Sequence, residues 1–234
     1  MLSEKSPKVR LISDFHDYYD HWFDSCGADF IFERRSTGGM SRPQILAYLQ
    51  SLGLQVPFFG RMRDVYKYTL RGFEEIPRSD TIFAMVVHLN EKAHRGEGKV
   101  MLSLRDALEK YPDCFAVQYI PALPSGLGLT WRYLQIGDKI FWLEYFSRND
   151  WRSNCGDVEV RVLSRERDSY NHKIRYPLYA VDFIPAAGKL YAIDFNIAPG
   201  IKGTGVEELL PAREAAEAIK KAVILFANQK EASN

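Results

Sequence analysis

With 234 residues, 46% of them hydrophobic and 26% charged, the chain can bury the core of one large domain or of two small interlocked ones. Lys and Arg number 31 against 30 Asp and Glu, and the net charge of +1 excludes a global field that would draw nucleic acid or an anionic membrane, so any charge chemistry is local. Cys26, Cys114 and Cys155 are odd in number and lack the paired spacing of a zinc site or a disulfide framework, which makes a reducing cytoplasm the expected setting. Met1 to Arg10 carry no apolar stretch after their basic residues, and no later segment approaches the length that spans a bilayer; a soluble, unexported protein is expected.

No repeat, low-complexity tract or Gly/Ser/Pro-rich linker divides the chain. Val9 to Ile12 is a short apolar piece, followed by the aromatic and acidic run Phe15 to Phe23 and by Phe30-Ile31-Phe32. After polar Ser36 to Ser41, apolar residues recur at helical spacing from Pro43 to Leu49, with Pro43 suited to a first turn and Gly53 ending the helix. Ile82 to Leu89 reads as a buried strand, Asn90 to Gly98 as a polar glycine-bearing loop, and Lys99 to Leu102 as a second strand. Ser103 is placed to cap a helix running to Lys110, and Phe115 to Ile120 is a strand that stops at Pro121. Trp131 to Ile136 and Lys139 to Phe146 flank Gly137-Asp138 as a hairpin; Tyr179 to Ile184 and Leu190 to Phe195 flank Ala187-Gly188 as another. An amphipathic helix, Pro211 to Asn228, closes an α+β arrangement with mostly antiparallel pairing in its second half.

The second hairpin carries the strongest chemical feature. Alternation puts Asp194 and Asn196 on one face, with Ile193 and Phe195 on the other, and Asp182 joins them if the strands pair across Ala187-Gly188. Two carboxylates and an amide oxygen are hard ligands suited to magnesium, which takes few protein ligands and completes its shell with phosphate and water. By spacing alone, alternating acids are equally commonplace on a solvated sheet face.

The stretch Val181-Asp182 through Ile193-Asp194-Phe195-Asn196-Ile197-Ala198-Pro199-Gly200 resembles the closing signature of the ATP-grasp superfamily, with Asp194 where most members carry Glu. In that superfamily the matching acids and asparagine hold Mg²⁺ against the phosphates of ATP, so the resemblance implies a metal site at Asp182, Asp194 and Asn196. Trp131 to Lys139, followed by Asp150-Trp151-Arg152-Ser153-Asn154, resembles the branch of glutathione synthetase and the ribosomal-protein glutamate ligase. There the first arginine sits near substrate or phosphates, and the Arg-Ser-Asn element reaches the transferring phosphate; the implied catalytic residues are Arg132, Arg152 and Asn154. A planar five-donor guanidinium suits bidentate capture of phosphate or carboxylate.

His94-Arg95-Gly96-Glu97-Gly98-Lys99-Val100 is similar to the glycine loop that closes over ATP phosphates, and Ala116 to Pro121 to the hinge that reads adenine. Lys92, Arg95, Gly96 and Gly98 in the loop, and Gln118, Tyr119 and Ile120 in the hinge, are the implied nucleotide contacts; glycine lets backbone amides approach phosphate. The likeness covers roughly residues 40 to 225, with its motifs in the family's order. It departs where members place two phosphate-binding lysines. His88 occupies one of those positions, and Ser41-Arg42-Pro43 stands at the other, leaving Arg42, Lys92 or Arg95 to supply charge. An imidazole is largely neutral near pH 7 and replaces a permanent cation poorly.

The resemblance implies an ATP-grasp fold in which two α+β lobes with antiparallel sheets enclose the nucleotide: a first lobe at 41–121 and a second at 122–234. Residues 1–40 form a reduced N-terminal segment, too short for a substrate domain of ordinary size, so a protein partner is a candidate source of substrate recognition. The implied activity uses ATP and Mg²⁺ to join a small-molecule or peptide carboxylate to an amine through an acylphosphate. The missing lysines keep two other readings open, a nucleotide-binding protein without catalysis and a phosphotransferase acting on a hydroxyl.

Overall fold

The first described helix begins and ends on local hydrogen bonds that its sequence supplies. In α1 (Arg42–Ser51) the Ser41 N–H donates to Gln44 Oε1 at 2.7 Å, the reciprocal half of a capping box, and Pro43 occupies the first turn. Gly53, at φ +81°, stops it, with the Leu54 N–H folding back onto the Leu49 carbonyl. This computed structural model describes residues 40–69, 84–91, 98–166, 173–174, 176–197 and 199–231. The segment 1–39, and with it the aromatic and acidic run Phe15 to Phe23, lies outside the described residues.

Two antiparallel sheets follow. The smaller has the order β1-β4-β2-β3 and comprises β1 (Phe59–Arg61), β2 (Ala84–His88), β3 (Lys99–Ser103) and β4 (Phe115–Gln118). Helices α2 (Met62–Thr69) and α3 (Leu104–Lys110) cover one of its faces, where Met62, Val65, Met85, Val87, Leu104 and Ala116 form a core. Ser103 caps α3, its Oγ accepting from the Asp106 N–H at 3.1 Å.

The larger sheet has the order β7-β6-β5-β8-β9: β5 (Leu129–Ile136), β6 (Lys139–Ser147), β7 (Val158–Glu166), β8 (Leu178–Ala186) and β9 (Lys189–Asn196). Two short-turn hairpins join β5 to β6 and β8 to β9, as the Gly137-Asp138 and Ala187-Gly188 signals predict. Leu134, Ile136, Phe141, Leu143, Leu178 and Ala180 pack on one face beneath the turn α4 (Val206–Leu209) and the closing helix α5 (Ala212–Glu231). On the other face Tyr179, Val181, Phe183 and Phe195 pack with Ile45, Leu46 and Leu49 of α1, in a cluster that also takes in Phe115 and Val117 of the smaller sheet. That shared cluster ties the two sheets together. Among the described residues no helix is long and apolar enough to cross a membrane.

The architecture is α+β with antiparallel pairing in both sheets. The sequence reading leaves β1, α2 and β7 unassigned. β1 is a three-residue bridge too short to show a period, whereas Val158, Val160 and Val162 of β7 carry the alternation of a half-buried strand. The strand expected over Phe115 to Ile120 ends at Gln118, where the chain leaves the smaller sheet and runs on to the larger.

Candidate functional site

The face of the larger sheet that α5 covers at its Leu134–Ile136 end is bare of helix at its Thr130–Arg132 end. There the smaller sheet stands opposite, presenting the face that α2 and α3 leave open. The space between is an open cleft whose walls enclose about 1070 Å³, solvent-filled mouth included. Val86, His88, Lys99, Phe115 and Val117 line it from the smaller sheet; Thr130, Arg132, Tyr145, Asp182, Ile184 and Asp194 line it from the larger.

A local irregularity aims the acids. β8 and β9 pair with Asp182 opposite Asp194 and Phe183 opposite Ala192, so Ile193 is the extra residue of a bulge. Simple alternation expects Ile193 to face away from Asp194. The bulge overturns that expectation: both residues line the cleft. Asn196 lies opposite Ala180 and is not among the cleft-lining residues.

Each acid is matched by an arginine. Arg132 forks onto Asp182, Nε to Oδ1 at 2.6 Å and Nη2 to Oδ2 at 2.9 Å, with 18% of each side chain exposed. Its Nη1 donates to the Tyr145 hydroxyl at 3.1 Å, and the guanidinium lies over the Tyr145 ring. Burial opposes the Arg132 charge, but Asp182 outweighs it and holds the pKa above its ordinary value. Arg42, the first residue of α1, reaches Asp194 Oδ1 at 2.7 Å; the Phe195 N–H donates to the same oxygen. Burial pushes the Asp194 pKa up, yet Arg42 overrides it and brings it below the usual carboxylate value.

A built loop supplies the third arginine. The loop runs between β6 and β7, and Gly128, just before β5, lies so close to its residues 152 and 153 that a Cβ there would stand 2.3 Å from the Ser153 nitrogen. The Gly128 N–H donates to the Asp150 carbonyl at 2.8 Å, the Ser147 hydroxyl to the Cys155 carbonyl at 2.6 Å, and Thr130 and Ser153 share a hydroxyl bond at 2.8 Å. These bonds carry Arg152, Ser153 and Asn154 to the cleft wall. Arg152 is itself forked onto Asp150, at 2.9 and 2.7 Å, which orients it and matches its charge.

The hinge, Gln118 to Ile120, lines the cleft beside this loop, and Tyr119 packs edge-on against Trp151. Inside the fold the Gln118 N–H already donates to the Phe58 carbonyl and the Tyr119 N–H to the Ala84 carbonyl, both at 2.8 Å. Their amides are thus unavailable to a ligand without breaking the fold, which leaves Ile120 as the hinge residue whose amide has no protein acceptor among the described residues.

Of the residues singled out in the sequence, Arg42, His88, Gln118, Tyr119, Ile120, Arg132, Arg152, Asn154, Asp182 and Asp194 meet in this one cleft. Gly98, at φ +61°, turns the chain into β3 and is not among the lining residues. Lys92, Arg95 and Gly96 lie outside the described residues. His88 is 6% exposed; burial, with Lys99 and Arg42 nearby, pushes its pKa down to about 3, so it is uncharged at neutral pH. The sequence reading missed Lys99 and Tyr145 as cleft residues, and named Ser153 only as part of the Arg-Ser-Asn element. Lys99 had a signal: a lysine opening an otherwise apolar strand next to the expected loop.

The donor set fits a hard divalent cation. Asp194 Oδ2 accepts from no described residue, and an oxygen of Asp182 that holds an arginine keeps a second lone pair. No group of three or more His, Cys, Asp or Glu converges among the described residues, so two carboxylates are the protein's acidic share. That is the sparse set Mg²⁺ takes when phosphates and water complete its shell.

No family model matches the chain, and no curated protein matches it in sequence. Among solved structures it is similar to the D-alanine–D-alanine ligase of Bacillus anthracis complexed with ATP, at 13% identity and a TM-score of 0.48 over 94% of this chain and 79% of that one. It is also similar to a RimK domain ATP-grasp protein of Sphaerobacter thermophilus, at 12% identity and a TM-score of 0.41 over 79% and 66% of the two chains. A third is a RiPP-associated ATP-grasp ligase of Chryseobacterium gregarium, solved with ADP and a leader and core peptide, at 12% identity and a TM-score of 0.41 over 75% and 56%.

Proposed function

We propose that the chain is an ATP-dependent ligase that joins a carboxylate to an amine through an acylphosphate. The observation that carries this reading is a single cleft between two sheets with a hinge amide available at Ile120, apolar walls at Val86, Val117 and Ile184, and the facing acids Asp182 and Asp194 among arginines. An apolar slot beside a spare amide suits a purine ring, and a charged wall suits a polyphosphate.

Asp182 and Asp194 would hold Mg²⁺, Asn196 standing outside the cleft lining; when bound, the ion would neutralise charge on the phosphates. Arg152 and Asn154, on the loop between β6 and β7, orient the terminal phosphate and the carboxylate, and Arg132 keeps Asp182 in place. In the first step a carboxylate oxygen attacks the γ-phosphorus and the bond to the bridging oxygen breaks, releasing ADP. In the second the amine nitrogen attacks the acyl carbon, phosphate leaves and the amine loses a proton to water. Such chemistry asks the protein for position and charge rather than covalent help.

Hydroxylamine trapping tests the reading. Wild-type protein incubated with ATP, Mg²⁺, hydroxylamine and a panel of carboxylates is expected to form a hydroxamate with one class of acid, with one ADP released for each. Asp194→Asn is expected to lower the rate about 100-fold or more. ADP release with a phosphorylated hydroxyl and no hydroxamate would replace the ligase with a phosphotransferase, and nucleotide binding without ADP release would leave a binding protein.

A further inference from the structure

The charges in the cleft do not balance evenly. Arg42 is matched by Asp194, Arg132 by Asp182 and Arg152 by Asp150. Lys99 also lines the cleft, yet among the described residues its ammonium makes no hydrogen bond and no ion pair. A half-buried cation with no direct partner, whose nearby carboxylate Asp194 is already held by Arg42, costs free energy in the unliganded protein, and folds retain such groups where a ligand supplies the counter-charge.

Its position is as informative as its isolation. β2 and β3 pair with His88 directly opposite Lys99, and both side chains line the same cleft. His88 is where the resemblance expects a phosphate-binding lysine. Directly paired residues on one sheet face have Cβ atoms about 5 Å apart, less than the reach of a lysine side chain, so a cation moved one strand over still reaches the same space.

We propose that Lys99 is the cation that holds the polyphosphate of the nucleotide, taking over from the neighbouring strand the task that His88 cannot perform. This assignment rests on the nucleotide reading above and adds the residue on which phosphate affinity depends. The His88 ring packs tilted against Phe115, centroids 5.5 Å apart, and serves as an uncharged wall that leaves the ammonium room. Burial brings the Lys99 pKa down to about 8, with Arg42 adding to the effect and Asp194 opposing it; the negative charge of an arriving phosphate favours the ammonium form.

The test is titration calorimetry of ATP, ADP and adenosine against wild type, Lys99→Met, and the double variant His88→Lys/Lys99→Met, with thermal melting of each protein without ligand. Lys99→Met is expected to lose ATP affinity about 10- to 100-fold, the worth of one charged hydrogen bond, while adenosine affinity stays within about twofold. The double variant, with its lysine one strand over, is expected to recover most of that loss. Without ligand, Lys99→Met should melt no lower than wild type, because a half-buried charge with no direct partner has gone. Unchanged ATP affinity in Lys99→Met, an equal loss for adenosine, or a lower melting temperature without ligand would each overturn the assignment and leave the nucleotide reading standing. Wild type that binds none of the three ligands overturns both.

Discussion

The two walls of the cleft are built on opposite electrostatic plans. On the larger sheet, charge is abundant and matched internally: Arg132 with Asp182, Arg42 with Asp194, and Arg152 with Asp150 on the adjoining loop. On the smaller sheet the described wall is apolar apart from Gln118, an uncharged His88 and Lys99, which makes no ion pair with a described residue. The matched wall is preorganised and holds its shape without a ligand, whereas the sparse wall is completed only when an anion arrives. One wall therefore carries stability and geometry, the other affinity, and substitutions on the two should separate accordingly.

The sharpest break comes on the larger sheet. Arg132→Leu strands the Asp182 carboxylate, and the expected loss is about 3 kcal/mol in urea unfolding at pH 7; Arg132→Leu/Asp182→Leu should recover most of it, because a buried pair replaced by apolar groups is often neutral. A Lys99→Met protein measured beside it should lose nothing, and an equal loss there would erase the contrast between the walls.

Next comes the turn that seats α5. Gly137 sits at φ +60°, and a Cβ there would lie 2.3 Å from the Ala218 carbonyl oxygen. Gly137→Ala is expected to cost about 2 to 3 kcal/mol, read from the midpoint of chemical unfolding. Nucleotide affinity should survive in the folded fraction, since α5 covers the far end of the sheet.

Gly128→Ala is smaller in stability, about 1 to 2 kcal/mol, but larger in function. The added methyl meets the backbone of Arg152 and Ser153 and pushes the loop from its seat. Turnover should fall by an order of magnitude or more while the stability loss stays modest; unaltered turnover would remove the loop from the mechanism.

The last effect is read on the pH profile. The His88 pKa lies near 3 in the folded protein against 6.5 in the unfolded chain, so between those values the unfolded state takes up a proton that the folded state does not. Stability from this group is present above pH 6.5 and is lost as pH falls toward 3, with a slope approaching about 1.4 kcal/mol per pH unit. His88→Leu should flatten the acid side of the wild-type curve by that component. Parallel curves for the two proteins would show that His88 titrates normally.

Much of this geometry was legible because it follows from short-range rules. Gly137-Asp138 and Ala187-Gly188 marked both hairpins, and once β8 and β9 pair across the second, Asp182 falls opposite Asp194. What stayed hidden depends on more than one strand. The bulge that turns Ile193 into the cleft is an irregularity of pairing, invisible to the alternation of β9 alone. The spare amide at Ile120 shows only when the Phe58 and Ala84 carbonyls are seen to take its neighbours' amides. Lys99 was quoted within the loop motif, but its relation to His88 exists only in the ladder between β2 and β3. The matching of each cleft arginine to an acid is likewise tertiary. Arg42 and Asp194 stand far apart in sequence and meet because α1 packs against β9.

The most direct test of the account is thermal melting of the wild-type protein with a non-hydrolysable ATP analogue, with and without Mg²⁺. A cleft built for a nucleotide predicts that the analogue, at about 100 times its dissociation constant, adds about 2.7 kcal/mol of stability and raises the melting temperature by roughly 5 to 10 °C. Mg²⁺ should enlarge the rise, and Asp194→Asn should cancel that enlargement. A melting temperature unmoved by millimolar analogue, with the metal or without it, would contradict the nucleotide site itself.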